Sequence, residues 1–354
     1  MQQYTADLAN QMSGAFDGET NNHWPVTVIT NRHVPRDRYA PQTKVEPVVD
    51  IAGTGLQKTN INARGFNEVY RAIRAAQPDI VHFTGPHVWN PILLFRLKRA
   101  GFKTVHTIHD LDPHSGTGYG KLLYIWNNSI VRTANHILVH GQVYRDRLLQ
   151  QGLSAQRVSY APLLHLFLSY EAEAALRRTP PNVSMEPFAL FFARIEAYKG
   201  VDTLLDAMRQ LAQTDMRAVI AGKGEIGGAV PDNVEIRNQW MGDAEAIDLF
   251  ARCRVVVLPY RDATQSALIA AAYFFGKPVI VTRAGALPEY VSDGTTGWII
   301  EPGDSQALAE CLRGALQDHG RTQQMGRAGR AWYETHYCNG RAALRHLYEH
   351  AAYA

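Results

Sequence analysis

Three cysteines in 354 residues, Cys253, Cys311 and Cys338, are too few and too scattered for a disulfide framework or a metal knuckle. Their scarcity excludes a small stapled secreted scaffold and points to a reducing compartment, the cytoplasm. Long hydrophobic runs are also lacking. The longest, Ala267–Gly276, falls well short of the ~20 residues that cross a bilayer as a helix. The opening residues lack the basic-then-apolar pattern of a secretory leader. No internal repeat, low-complexity tract or strong charge excess occurs, since 36 Lys/Arg face 33 Asp/Glu, and no nucleic-acid partner is expected. What is present is a packed composition, 46% hydrophobic and 19% charged, on a chain long enough for two domains.

The most informative stretch runs from Arg254 to Asp304. Val255–Pro259 and Pro278–Thr282 are β-branched runs stopped by turn chemistry, which reads as two buried strands. Between them Ser266–Phe275 is too long for a strand. Thr264, Gln265 and Ser266 open it and Gly276 closes it, which is helix punctuation. A strand, a polar loop and a helix start place backbone N–H groups at the carboxyl edge of a parallel sheet, where phosphate binds. A βαβ unit with no ligand fits the same pattern.

Phe188–Ala207 adds two cations. A strand delivers Arg194 and then Lys199-Gly200 into a loop, followed by a helix with Val201, Leu204, Leu205 and Met208 on one face. A diphosphate needs that combination of charge and directed hydrogen bonds, although solvated loop cations look the same in sequence. Arg217–Glu225, RAVIAGKGE, is a strand ending in a glycine turn with Gly222 and Gly224. The strand ends at 194–200, 222–225 and 260–266 are expected to converge on one crevice.

R-x4-K-G before an LLxA helix, AGKGE, and LPYxxATQS…GKPVI…GALPE…DGxTGWII together resemble the nucleotide-sugar-binding domain of retaining GT-B glycosyltransferases. More narrowly they resemble the family 4-like group that builds bacterial polysaccharides and glycolipids. The resemblance implies an α/β fold of GT-B type, with two facing Rossmann-like domains and a cleft between them. It implies hexosyl transfer from a nucleoside-diphosphate sugar to a glycan or lipid-linked acceptor, with no cofactor and no metal. Arg194 and Lys199 would stabilise the departing diphosphate, and His109, in T-I-H-D at the end of a buried strand, would face the donor sugar. Gly222, Gly224, Asp262, Thr264, Gln265, Ser266 and Glu289 would bind the donor. The family's paired glutamates, E-x7-E, fall here on Ala263 and Ala271, neither of which accepts a hydrogen bond. That departure leaves a non-catalytic GT-B scaffold in a polysaccharide assembly as the rival. A GT-B epimerase would need cleft carboxylates that the sequence does not place.

The N-terminal half reads as a second doubly wound unit. Strands are expected at 24–31, 79–83, 103–109 and 136–140, with helices at 65–77, 90–100, 123–134 and 144–151. The domain boundaries expected are 1–170, a polar linker over 171–187, a second domain over 188–338, and a helix over 339–354 that crosses back to brace the first. The opening MQQYTADLANQMSGAFDG resembles the family's first helix, so the family's first strand and glycine-rich turn would precede Met1. Strands 24–31 and 103–109 would then flank an unfilled central position. His106, three residues before His109, should face the other side of its strand, and His140 reads as a support.

Two motifs are set aside. Asp110-Leu-Asp112 spells a metal-binding D-x-D, but Asp110 fits a turn cap better, and mixed ligands at His109, Asp110, Asp112 and His114 are weak. Ser115–Lys121 lacks the first glycine and the final Ser/Thr of a P-loop. Residues 1–180 carry 19 Lys/Arg against 13 Asp/Glu. The excess gathers at Arg96–Lys103 and Lys121–Arg132, where Leu122, Ile125 and Trp126 recur at helical spacing, so an anionic membrane surface is a further candidate partner.

Overall fold

The apolar runs of the C-terminal half become a parallel sheet buried on both faces. The computed structural model describes residues 2–16, 24–51, 55–111, 120–179 and 185–353. Packing divides the chain into one unit of Met1–Pro162, Leu168–Ala174 and Cys338–Ala354 and another of Leu163–Phe167 and Ala175–Tyr337. Asp112, His114 and residues 115–119 of the two set-aside motifs lie outside the described residues.

In the first unit, α1 (Gln2–Met12) precedes β1 (Thr27–Asn31) and β2 (Lys44–Val49), which form a parallel pair. Then come α2 (Ala63–Ala76), β3 (Ile80–Phe83), α3 (Asn90–Arg99), β4 (Lys103–Ile108), α4 (Gly120–Thr133), β5 (His136–Val139), α5 (Gln142–Gln150) and β6 (Val158–Tyr160). Strands β3-β4-β5-β6 form a second parallel sheet in that order. Each helix returns the chain so that the next strand runs parallel to the last. α1 is buried almost all round, and its first turn lies against the carboxyl ends of β3, β4 and β5. There Thr5 Oγ1 meets Thr84 Oγ1 at 2.7 Å and Tyr4 Oη meets Thr107 Oγ1 at 3.1 Å.

One expectation needs correcting here. Strand 103–109 does not border an empty position: β4 is paired on both sides, Ile80↔Lys103 with β3 and Val105↔His136 with β5. The strand at 79–83 takes the place beside it, because its register sets Val81 and Phe83 against Thr104 and His106. Among the described residues no ladder joins the β1–β2 pair to the β3–β6 sheet.

Residues 171–178 of the expected linker are helical, within α6 (Tyr170–Arg178). The second unit then runs β7 (Phe188–Phe192), α7 (Val201–Gln210), β8 (Arg217–Ala221), β9 (Val234–Arg237), α8 (Asp243–Arg252), β10 (Val255–Leu258), α9 (Leu268–Phe274), β11 (Val279–Thr282), β12 (Gly297–Ile300), α10 (Ser305–Gln317) and α11 (His319–Tyr353). From Cys338 onward α11 belongs to the first unit. The sheet order is β12-β11-β10-β7-β8-β9, all parallel. Every residue of β10 and β11 is buried, which is why both read as unbroken apolar runs and not as alternation. Each large side chain removed from water there contributes roughly 1.5–3 kcal/mol.

That strand order reverses at its middle. From β7 the chain moves outward through β8 and β9, then returns to β7's other side for β10 and β11. In an open α/β sheet such a reversal separates the loops of the two central strands and leaves a crevice at their carboxyl ends.

Candidate functional site

The loops after β7, β8, β10 and β11 are fastened to one another by backbone. Ala193 N donates to Ala221 O (3.1 Å) and Ile195 N to Lys223 O (2.9 Å), so pairing between the β7 and β8 ends continues past the strands. Arg261 N donates to Tyr198 O (2.8 Å), joining the β10 and β7 loops, and Ala286 N to Thr264 O (3.0 Å), joining the β11 and β10 loops. The three strand ends read from sequence are therefore brought together within the second unit.

Glycine makes this closeness possible. A Cβ on Gly222 (φ +146°) would stand 1.8 Å from Ala193 O, and one on Gly200 (φ +66°) 1.9 Å from Pro259 O. Neither position admits a side chain. Asn238 buckles the glycine turn from outside: its Oδ1 accepts from Gly224 N (3.1 Å) and its Nδ2 donates to Gly224 O (2.8 Å). Gly222→Ala should destabilise the fold by roughly 2–3 kcal/mol. Gly227→Ala, whose Cβ meets nothing within 4 Å, should leave stability unchanged. Chemical denaturation of the two variants checks the contrast.

Lys199 and Tyr260 meet at the reversal point. Lys199 Nζ lies 3.9 Å from the centre of the Tyr260 ring and 5.1 Å from that of Tyr198, an electrostatic seat for an ammonium group. Tyr260 is fully buried, and its hydroxyl has no partner among the described residues. Arg194 is 62% exposed and paired with Glu196, Nη1 to Oε1 2.6 Å. Burial, then the hydrogen bond to Glu196, push the Tyr198 phenol up from its usual pKa. Glu196 and Tyr260 were not singled out in the sequence, and only the folded loops show that they flank the two cations.

The 262–266 loop differs in detail from the sequence reading. The helix begins at Leu268, with Ala267 as its cap residue and no side-chain cap bond. Thr264 and Gln265 therefore lie outside it, and Ser266 Oγ accepts from Leu268 N at 3.4 Å. Thr264 and Ser266 are buried, and Asp262 and Gln265 are partly buried. Gln265 Oε1 is shielded from water without a partner among the described residues, a condition a ligand hydroxyl would relieve. Ala263 and Ala271 are both buried, so no carboxylate stands at either place. Glu289 sits in a short 3-10 turn, Leu287–Tyr290, in the segment after β11.

His109 belongs to the first unit, one residue past β4. Its Nε2 donates to Thr84 O at 2.9 Å, and Tyr4 and His140 each place a ring 4.9 Å from its own. His106 faces the other way, where Asn90 Nδ2 donates to its Nε2 (2.9 Å) and Phe83 stacks on it. His140 Nδ1 donates to Ala161 O at 2.8 Å. Asn127 Nδ2 holds the turn at 110–111 by donating to Asp110 O and Leu111 O. Among the described residues, no three His, Cys, Asp or Glu gather as a metal-binding group. Burial holds the Cys253 thiol up at about 12, so it is no nucleophile at neutral pH.

The chain matches two family models, "Glycosyltransferase Family 4" over residues 2–163 and "Glycosyl transferases group 1" over residues 186–318. A D-inositol 3-phosphate glycosyltransferase of Streptomyces avermitilis is 24% identical over 93% of this chain and 78% of its own length. A sulfoquinovosyl transferase of Arabidopsis thaliana is 25% identical over 90% of this chain and 64% of its own. Among solved structures, a sucrose-phosphate synthase from Thermosynechococcus elongatus aligns with a TM-score of 0.72 at 19% identity, covering 98% of this chain and 92% of that one. An Anabaena protein solved in complex with UDP-glucose aligns with a TM-score of 0.67 at 17% identity, over 92% and 99% of the two chains. The fold, α/β with two Rossmann-like halves, is that of the GT-B glycosyltransferases. No described helix is long and apolar enough to cross a membrane.

Proposed function

The chain belongs to the family 4 glycosyltransferases, and we infer that it transfers a hexose from a nucleoside-diphosphate sugar with retention of anomeric configuration. The observation that carries this reading is the seating of Lys199 against Tyr260 where the sheet order reverses, beside Arg194 and the Gly222–Gly224 turn. A diphosphate placed there would meet two cations and the backbone of a glycine turn. Lys199 and Arg194 would take up the charge that develops as the glycosidic oxygen leaves. Arg194 would exchange its bond to Glu196 for one to phosphate. Retention would follow from attack on the face the leaving group vacates, which requires no protein nucleophile. Asp262, Thr264, Ser266 and Glu289 would hold the donor, and the unpartnered Gln265 Oε1 would accept from a sugar or ribose hydroxyl. We place the acceptor among glycans and lipid-linked glycans of polysaccharide assembly in the cytoplasm. A solved neighbour that binds UDP-glucose supports a nucleotide-sugar donor.

The decisive assay incubates the full chain with UDP-, GDP- and dTDP-hexoses, with and without membrane extract, and follows free nucleotide and the anomeric signal of the product. Release of one nucleotide with the donor's anomeric configuration kept is the expected outcome. An inverted product would overturn the retaining mechanism. The buried alanines at 263 and 271 favour one second reading, a nucleotide-binding scaffold. Saturable nucleotide binding with no turnover on any donor would select it.

His109 is assigned to the transferred sugar or the acceptor. His109→Ala should lower turnover by about 10²–10⁴-fold, the range for a lost proton-transfer group, and leave affinity for the free nucleoside diphosphate unchanged. Equal loss of both would make the residue structural.

A further inference from the structure

The outer face of α3 and α4 combines two features that the sugar-transfer chemistry does not use. The sequences of these helices contain Arg96, Lys98, Arg99, Lys121 and Arg132 and no acidic residue. On α3, Ile92, Phe95, Arg96 and Arg99 recur at helical spacing and share one face, while Leu93, Leu94 and Leu97 on the other are buried. Ile92 and Phe95 are 58% and 53% exposed, and Tyr124 and Ile125 on the adjoining α4 are 54% and 66% exposed.

Beside this apolar strip lies a cationic hollow. The Arg96 guanidinium stands 4.3 Å above the Tyr70 ring and that of Arg74 6.0 Å from it. Together with Arg71 they line an open depression of about 420 Å³. Among the described residues none of Arg71, Arg74, Arg96 and Arg99 has a carboxylate partner. Glu68, the single acidic residue of α2, is taken by Arg64 (2.9 Å) and Arg32 (3.7 Å). A freely solvated face mixes both signs of charge and keeps large apolar side chains few, and this face does neither.

We propose that the α3–α4 face docks the protein on an anionic phospholipid surface. Headgroup phosphates would occupy the Arg71–Arg74–Arg96 hollow, and Ile92, Phe95, Tyr124 and Ile125 would enter the boundary between headgroups and acyl chains. A soluble phosphate satisfies the arginines and leaves four large apolar side chains in water. A lipid surface satisfies both. The site is independent of the sugar-transfer reading, because these helices carry none of the donor-binding residues, and its test needs no donor.

The test is co-sedimentation of the full chain with vesicles of phosphatidylcholine alone and of phosphatidylcholine mixed with phosphatidylglycerol. Binding to the mixed vesicles only, weakening as salt is raised, is the expected result. Replacing Arg96 and Arg99 together by glutamate should lower partitioning by roughly a hundredfold, since each basic residue near the surface is worth about fivefold and reversal adds repulsion. The pair Ile92→Ser and Phe95→Ser should lower it by about tenfold with the salt dependence kept. Arg327→Glu, exposed on α11 in the second unit, should change nothing. All these side chains are exposed, so thermal unfolding should match wild type. Failure of the wild-type chain to pellet with mixed vesicles, equal binding to both vesicle types, or wild-type binding by both double variants would overturn the proposal. So would release by inorganic phosphate at constant ionic strength, which would mark a soluble-anion site.

Discussion

Lys199→Ala should lower turnover by roughly 30- to 1,000-fold, the range that corresponds to losing one charge-stabilising donor worth about 2–4 kcal/mol in the transition state. Arg194→Ala should fall in the same range, with a smaller effect on folding, since Arg194 is 62% exposed and, among the described residues, its ion pair is with Glu196 alone. Lys199 is different in kind. Its ammonium rests 3.9 Å over a fully buried tyrosine ring, so alanine also removes a cation–π contact worth about 0.5–2 kcal/mol. Lys199→Arg keeps charge and ring contact and should recover part of the activity. Arg261→Ala, a neighbouring exposed cation paired with Asp202, should cost little. That control separates directed stabilisation of a diphosphate from a general positive field. Near-normal turnover in Lys199→Ala or Arg194→Ala would remove both residues from the proposed chemistry.

The pattern of what could be read in the sequence follows from how local each signal is. β7, β10 and β11 were legible because a strand buried on both faces has to be apolar at successive positions. The three converging loops were legible because glycines and cations stand directly after those strands. The use of Gly222 and Gly200 was not, since it depends on Ala193 O and Pro259 O, contributed by other strands. Glu196 and Tyr260 stayed hidden for the same reason. The partner of β4 is not legible in the sequence, because apolar β3 and β1 look alike in composition and register is set only when strands pair. The helix in the third loop starts at Leu268 and not Ser266 because hydroxyl residues mark a start only to within a turn. The apolar strip on α3 was hidden too. Periodicity shows that a helix has a buried face, and Leu93, Leu94 and Leu97 supply it, but exposure of Ile92 and Phe95 is visible only once the neighbours are in place.

Acid should unfold the first unit well before the second, because its core holds histidines that the fold keeps neutral. Burial lowers His82 and His106 to about 3 and His140 to about 4 from an ordinary value near 6.5, and for His82 the neighbouring His106 and His140 add to the effect. The hydrogen bond to His106 also requires a neutral ring, since its Nε2 accepts from Asn90 Nδ2, while His82 Nε2 and Nδ1 reach the hydroxyls of Thr107 (2.8 Å) and Tyr348 (2.5 Å). The sign follows from the direction of the shifts. A folded-state pKa below the unfolded one means that the unfolded chain binds more protons between those values, so stability is complete above about 6.5 and falls as pH drops toward 4. Each such histidine contributes a slope of up to about 1.4 kcal/mol per pH unit, and three together up to about 4. Against a domain stability of about 5–15 kcal/mol, loss of the first unit is expected between about pH 5 and 4. Thermal unfolding followed at each pH should split into two transitions, with the lower one moving. His106→Gln should flatten that slope by about one histidine's share. A first-unit melting temperature that stays constant from neutral pH down to about 4 would show that these rings take up protons without unfolding, and the linkage would be wrong.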